Sequence, residues 1–233
     1  MYDTYGGIIR GDTTQRNMAL VFTADEYGEG ASFILDALHD RGIRGSFFLT
    51  GNFLRGPGNA ETVKRLVADG HYIGPHSDQH LLYCDWGKRD SLLIGKAVFD
   101  QDLSANYAAM AERGIDTSEA SFFIPPYEWY NRRIVEWAAE RGVQLVNFTP
   151  GLGTAADYTY PEMGDRYVDS QQLYDQVLAY EAQSPNGLNG VVLLIHLGTD
   201  PKRIDKFYHR LPELIEALII KGYKFERIDK LFR

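Results

Sequence analysis

Apolar residues in this chain fall into two patterns, spaced stripes and short continuous runs, and the two alternate along it. Ala31, Ile34, Leu35 and Leu38 fall at i, i+3, i+4 and i+7, and so do Leu211, Leu214, Ile215 and Leu218. That spacing lines one face of a helix with 3.6 residues per turn. Pro212 is compatible because it falls in the first turn, where its missing N–H has no partner to lose. Shorter stripes predict further helices at Val63, Leu66 and Val67, at Leu103, Tyr107 and Met110, at Ile134, Trp137 and Ala138, and at Leu173 and Val177. Asn59, Asn131 and Ser170 stand where N-caps belong. Between these stripes lie seven short apolar segments: 19–23, 45–49, 72–74, 122–124, 144–147, 191–195 and 224–227. Several are continuously apolar, the pattern of parallel strands covered by helices on both faces.

The joints between the two patterns repeat. Gly42, Gly70, Gly114, Gly142 and Gly222 each follow a helical stripe and precede a strand segment. Glycine just past a helix end accepts the left-handed backbone that stops the helix. Five such joints predict repeated βα units. The expected fold is α/β, a distorted or incomplete (β/α)7-type barrel in a single domain spanning 1–233.

Composition narrows the picture. With 233 residues, 44% of them hydrophobic, the chain can bury a core without covalent staples. Its one cysteine, Cys84, excludes an internal disulfide and a cysteine-rich metal cluster. A net charge of −8 argues against a protein that holds nucleic-acid backbone. No apolar run is long enough for a membrane span, and the first residues, MYDTYGGIIRGDTTQRN, lack a secretory apolar region. The expectation is a cytoplasmic protein or the mature or excised part of an exported one, with other domains of a longer polypeptide compatible with it.

In parallel α/β folds, ligands gather beyond the carboxyl ends of the strands. Asp25 and Glu26 follow the first strand segment; His76 and His80 follow the third, after Pro75. Pro125, Pro126 and Tyr127 follow the fourth, and His196 follows the sixth. Two imidazoles four residues apart meet one cation if the backbone makes a helical turn. Neutral imidazole suits zinc and its first-row neighbours. The alternative is a pair of hydrogen-bonded loop histidines. His196 also reads as a core histidine, and Asp25-Glu26 as a solvated turn. Two carboxylates, three histidines and a rigid Pro-Pro turn at four strand ends favour a site. Tyr83, Trp86, Tyr127, Trp129 and Tyr130 lie in the loops beside them, with flat faces suited either to sugar rings or to packing. The long segment from Thr149 to Asp169 has the length of a functional loop.

These residues resemble the motifs of the polysaccharide deacetylases, the NodB-homology domain of carbohydrate esterase family 4. The first motif, Thr-Phe-Asp-Asp, is similar to Thr23-Ala24-Asp25-Glu26, and His76-Ser77-Asp78-Gln79-His80 matches the second, His-(Ser/Thr)-x-x-His, in full. Ile124-Pro125-Pro126-Tyr127 resembles the third, and Leu194 with His196 resembles the last. The resemblance implies hydrolysis of an N- or O-linked acetyl group on a carbohydrate, dependent on a divalent metal, most simply zinc. It implies Glu26, His76 and His80 as metal ligands, Asp25 as general base, His196 as general acid, and the Tyr127 N–H as oxyanion donor. Leu194, Trp86, Trp129 and Tyr130 become expected substrate contacts, and an exported location is favoured. Three departures stand out. Glu26 occupies a place where the family has Asp. Ile124 replaces the Arg that tethers the base. An Asp-x-x-x-Trp-like motif, whose Asp is expected to support that Arg, is not clearly present, although Asp157-Tyr158 lies about where it belongs. A catalytically impaired sugar-binding module and a metal-independent glycosidase are the competing readings.

Overall fold

The computed structural model describes residues 1–233. Its elements follow the alternation of the sequence. They run β1 (Asn17–Ala24), α1 (Ala31–His39), β2 (Ser46–Leu49), α2 (Gly51–Arg55), α3 (Ala60–Ala68) and β3 (Tyr72–Pro75). Then come α4 (Lys96–Glu112), β4 (Phe122–Phe123), α5 (Arg132–Glu140), β5 (Gln144–Leu145) and α6 (Ser170–Gln183). The chain ends with β6 (Val192–His196), α7 (Leu211–Ile220), β7 (Lys224–Phe225) and α8 (Ile228–Leu231). All seven expected strands form, and all five joint glycines have positive φ, from 63° to 87°. Asn131 caps α5 by accepting from the Ile134 N–H. The cap of α6 is Asp169, one residue before the expected Ser170. Asn59 makes no cap bond; its amide donates to the Phe53 carbonyl instead.

All the strand ladders are parallel. β3, β2, β1 and β6 lie side by side, and β7 joins the start of β1. β4 and β5 form a separate pair. No continuous ladder closes the ring. A few hydrogen bonds span the gaps, among them Ile124 N–H to Pro75 O at 3.4 Å and Thr149 N–H to Val192 O at 2.9 Å. The result is an incomplete barrel.

Two apolar layers hold it, and a third cluster with Leu103, Phe123, Ile134 and Leu145 packs α4 and α5 against β4 and β5. The inner one contains Ala19, Val21, Phe48, Tyr72, Ile124, Val192 and Leu194, with Ile228 and Leu231 of α8 packed against it. The outer one joins the other faces of β1, β2 and β6 to α1, α3, α6 and α7 through Leu20, Phe22, Ile34, Leu66, Val177 and Leu214. Strand residues alternate between these layers because successive side chains point to opposite faces. No helix is long and apolar enough to cross a membrane.

Candidate active site

The alternation that builds the inner layer also aims the polar residues. On β1 the inner series runs Ala19, Val21, Thr23, and its next member is Asp25. On β3 it runs Tyr72, Gly74, His76, and on β6 Val192, Leu194, His196. Each series ends in a side chain that passes from core to cavity. The cavity measures about 560 Å³. Asp25, Glu26, His76, His80, Trp86, Tyr127 and His196 line it, as do Thr23, Tyr27, Glu128, Tyr158, Tyr160, Met163 and Asp200. Leu194 does not. It sits one layer below His196, fully buried, and is a core residue rather than the expected substrate contact.

Asp25 is held from β2. Thr50 Oγ1 donates to its Oδ1 at 2.8 Å and Asn52 Nδ2 donates to the same oxygen at 3.2 Å. Thr50 also caps α2, accepting from the Phe53 N–H. A short strand and the first turn of a short helix therefore fix the carboxylate where an Arg was expected. Ile124, in place of that Arg, keeps its side chain in the inner core, and its carbonyl accepts from His76 Nδ1 at 2.8 Å.

The segment 76–80 is not the helical turn that the spacing suggested. Ser77 and His80 have positive φ, 75° and 54°, which is strained for residues with a Cβ. Two residues of α4, one turn apart, hold it. Asp102 accepts from the N–H groups of Asp78 and Gln79 and from the Tyr83 hydroxyl. Asn106 accepts from the His76 N–H and donates to Leu49 O. Arg55 donates to both oxygens of Asp78, at 2.7 and 3.0 Å. The two imidazoles still meet, with ring centroids 5.1 Å apart. Burial lowers the pKa of both, that of His76 well below the usual value, so both rings are neutral. The acceptor at Nδ1 leaves His76 Nε2 with its lone pair, the form a metal binds.

Two imidazoles thus fit a cation. Glu26, the expected third ligand, is exposed at the rim beside Tyr27, whose pKa is raised by burial and then by Asp200 and Glu26. No three His, Cys, Asp or Glu side chains converge closely enough to hold a metal ion. The carboxylate nearest the pair is Asp25, with Oδ2 3.8 Å from His80 Nδ1.

Across the cavity, His196 Nδ1 donates to Asp157 Oδ1 at 2.5 Å, and the His196 backbone N–H donates to Asp157 Oδ2 at 2.9 Å. Asp157 therefore tethers the histidine and not an Arg, which corrects the role expected of it. Burial disfavours the imidazolium, but Asp157, helped by Glu128, outweighs burial and raises His196 to about 9. Burial raises Glu128 to about 7, with Asp157 adding to the rise and His196 opposing it. The loop that delivers Asp157, Tyr158, Tyr160 and Met163 is pinned by the fully buried Arg203, which donates to the carbonyls of Thr159 and Val168.

Tyr127 sits at φ 59°, and its backbone N–H has no acceptor in the protein. Its ring lies 4.4 Å from that of His80. Trp86 is exposed in the cavity wall. Trp129 lies just outside, 5.3 Å from Trp86 and stacked on the Arg89 guanidinium. Tyr130 is no substrate contact: it is fully buried, and its hydroxyl donates to Asp3. Nothing in the sequence pattern singled out Thr50, Asp102, Asn106 or Glu128. The one available signal was at Thr50, which directly follows a strand segment, as Asp25 and His76 nearly do.

Known proteins resemble the chain over its whole length. An uncharacterized 30.6 kDa protein of Geobacillus stearothermophilus is 24% identical over 99% of this chain and 76% of its own length. BA3943 of Bacillus anthracis, described as a carbohydrate esterase family 4 pseudoenzyme, superposes with a TM-score of 0.73 at 17% identity, covering 98% of this chain and 69% of that one. The Bc1960 peptidoglycan N-acetylglucosamine deacetylase gives 0.73 at 21% identity, covering 97% and 92%. At such identities the structural likeness speaks for the fold. The model of the polysaccharide deacetylase family matches residues 10–146, more than half of the sequence, and with the His76–His80 motif and the incomplete barrel around it, this chain belongs to the polysaccharide deacetylase family.

Proposed function

We propose that the chain is a metal-dependent deacetylase that hydrolyses an acetyl amide or ester on a carbohydrate. The observation that carries this reading is that Asp25 and His196, on adjacent strands, line one cavity, each with its own tether. Water attacks the acetyl carbon while Asp25 takes its proton. The unpaired Tyr127 N–H donates to the oxygen as it becomes negative. His196, kept protonated by Asp157, then gives its proton to the leaving nitrogen or oxygen. The carbon–nitrogen or carbon–oxygen bond breaks, and acetate leaves. Trp86 offers an aromatic face to a sugar ring, with Trp129 beside it. A divalent cation, zinc or a first-row neighbour, would be held by His76 and His80 with Glu26 as the third ligand, and would supply Lewis acidity to the carbonyl and the water. A glycan substrate of the kind named for the deacetylase neighbour supports an exported location.

The second reading is a sugar-binding module without catalysis. The exposed, rim position of Glu26 and the likeness to a pseudoenzyme favour it. Acetate release from acetylated oligosaccharides, with chelator and with added zinc, separates the two. The deacetylase reading expects release that chelator abolishes and zinc restores. Oligosaccharide binding without release under any metal sinks it in favour of the module. His76→Ala and His80→Ala each remove half of the imidazole pair and should lose tight metal binding. Metal content equal to wild type after dialysis would overturn the ligand assignment.

A further inference from the structure

The Glu128 carboxyl touches no reacting atom in the hydrolytic steps and acts there only by helping Asp157 keep His196 protonated, yet a strained turn places it in the cavity. Tyr127 and Glu128 are consecutive non-glycine residues with positive φ, 59° and 52°. The turn is fixed on both sides: the Glu128 N–H donates to Pro125 O, and its carbonyl accepts from Asn147 Nδ2 at 3.0 Å. The carboxyl itself takes no hydrogen bond from the protein; burial raises its pKa, with the charge of His196 opposing the rise and that of Asp157 adding to it.

The rest of the wall has the same sign. Asp25, Glu26 and Asp200 border the cavity, and no Lys or Arg does. The cations behind the wall are each held by partners of their own. Lys206 binds Thr199 and Glu29, Lys202 lies over the Tyr160 ring, and Arg203 is buried against backbone carbonyls. Asp157 balances the His196 imidazolium. Among the lining residues, Thr23 Oγ1 is buried without a partner. Such a wall accepts hydrogen bonds from hydroxyl, amide and ammonium groups and repels anions.

We propose that Glu128 sets the charge of the substrate: it selects acetylated sugars that are uncharged or carry a free amine, and rejects sugars that carry a carboxylate. This rests on the deacetylase reading and deepens it. An ionised Glu128 can accept from an N–H or O–H of the sugar. A sugar carboxylate offers no donor and meets the like charges of Glu128, Asp25, Glu26 and Asp200 in the cavity wall.

The test uses three tetrasaccharides at pH 8: N-acetylglucosamine tetramer, the same with one free amine, and one in which a lactyl ether adds a carboxylate. Both kcat/KM for acetate release and Kd by calorimetry are measured, at low and high salt. Wild type should favour the first two over the third by about tenfold or more at low salt, and salt should shrink the gap. Glu128→Gln should narrow the ratio several-fold, and Asp200→Asn, at the rim, should narrow it less. Equal use of the carboxylate sugar by wild type overturns the proposal. An unchanged ratio in Glu128→Gln removes Glu128 from it. Should Glu128→Gln not fold, an unchanged ratio in Asp200→Asn overturns selection by the acidic wall. Selective binding without acetate from any sugar upholds the charge selection and ends the deacetylase reading. No binding of any tetrasaccharide overturns both.

Discussion

Three histidines share one cavity, and its two walls treat them in opposite ways. On the β3 side, His76 is packed against strand ends, with a backbone carbonyl at Nδ1. Burial acts there nearly unopposed and keeps the ring neutral. His80 behaves likewise, although Asp25 partly resists the shift. On the β6 side, His196 meets the same penalty. Two carboxylates answer it, and the pKa ends at about 9. Burial alone does not set the protonation state of an imidazole; the charge of its nearest acceptor does. A carbonyl at 2.8 Å leaves a neutral donor fit for a cation, whereas a carboxylate at 2.5 Å leaves a charged acid fit to protonate a leaving group. The tethers differ in the same sense. Neutral donors from Thr50 and Asn52 hold Asp25, which is free to take a proton, while a full negative charge holds His196.

This contrast can be broken at three places. The largest effect should come from Asp25→Asn. An amide cannot take the water's proton, and a general base is typically worth about 10² to 10⁴ in rate. Acetate release should fall by that much while metal content holds. Loss of the metal instead would make Asp25 a ligand, in keeping with its place beside His80.

Asp157→Asn should act on the pH profile. On the proposed mechanism the general acid works only while protonated, so the raised pKa should carry activity up to about pH 9. Removing the carboxylate removes the largest favourable influence on the imidazolium, and the pKa must fall toward or below the ordinary 6.5. The alkaline limb of kcat should move to lower pH, with the greatest loss above neutrality. An alkaline limb in the same place would show that His196 is not the acid.

The smallest effect belongs to Asn106→Ala. It leaves the His76 N–H and the Leu49 carbonyl without partners. A buried group left unpaired costs about 1–3 kcal/mol, readable as a lower midpoint of urea unfolding. Metal affinity should fall with it, because the strained segment 76–80 loses one of its clamps. A variant as stable as wild type would mean that Asp102 and the Arg55–Asp78 pair hold the segment without Asn106.

The barrel was legible in the sequence for local reasons. The helical period of 3.6, the short apolar runs, and the glycine after each helix are properties of neighbouring residues, and they survive whatever the rest of the chain does. Asp25, His76 and His196 were legible from their places just past strand ends, because a parallel sheet brings all its carboxyl ends to one face. The same rule applied to β2 would have found Thr50. It misjudged Leu194, which shares the inward face of His196 but lies one layer deeper, where the core is closed. Tyr130 misled for a related reason. A loop aromatic is attractive for a sugar, but the partner that claims its hydroxyl, Asp3, is 127 residues away.

Local pattern alone determined seven parallel strands, their helices and the strand ends where chemistry collects. The partners were left to the tertiary structure. Asp157 meets His196 across 39 residues, Asn106 meets His76 across 30, and Thr50 meets Asp25 across 25. Sequence spacing carries no distance information over such separations. Whether the carboxylate of Glu26 turns inward or outward is decided by torsions just past a strand end, where neither pattern applies. Protonation belongs to the same class. His76 and His196 are the same residue type at the same place in their units, and only the groups folded against them make one neutral and the other charged.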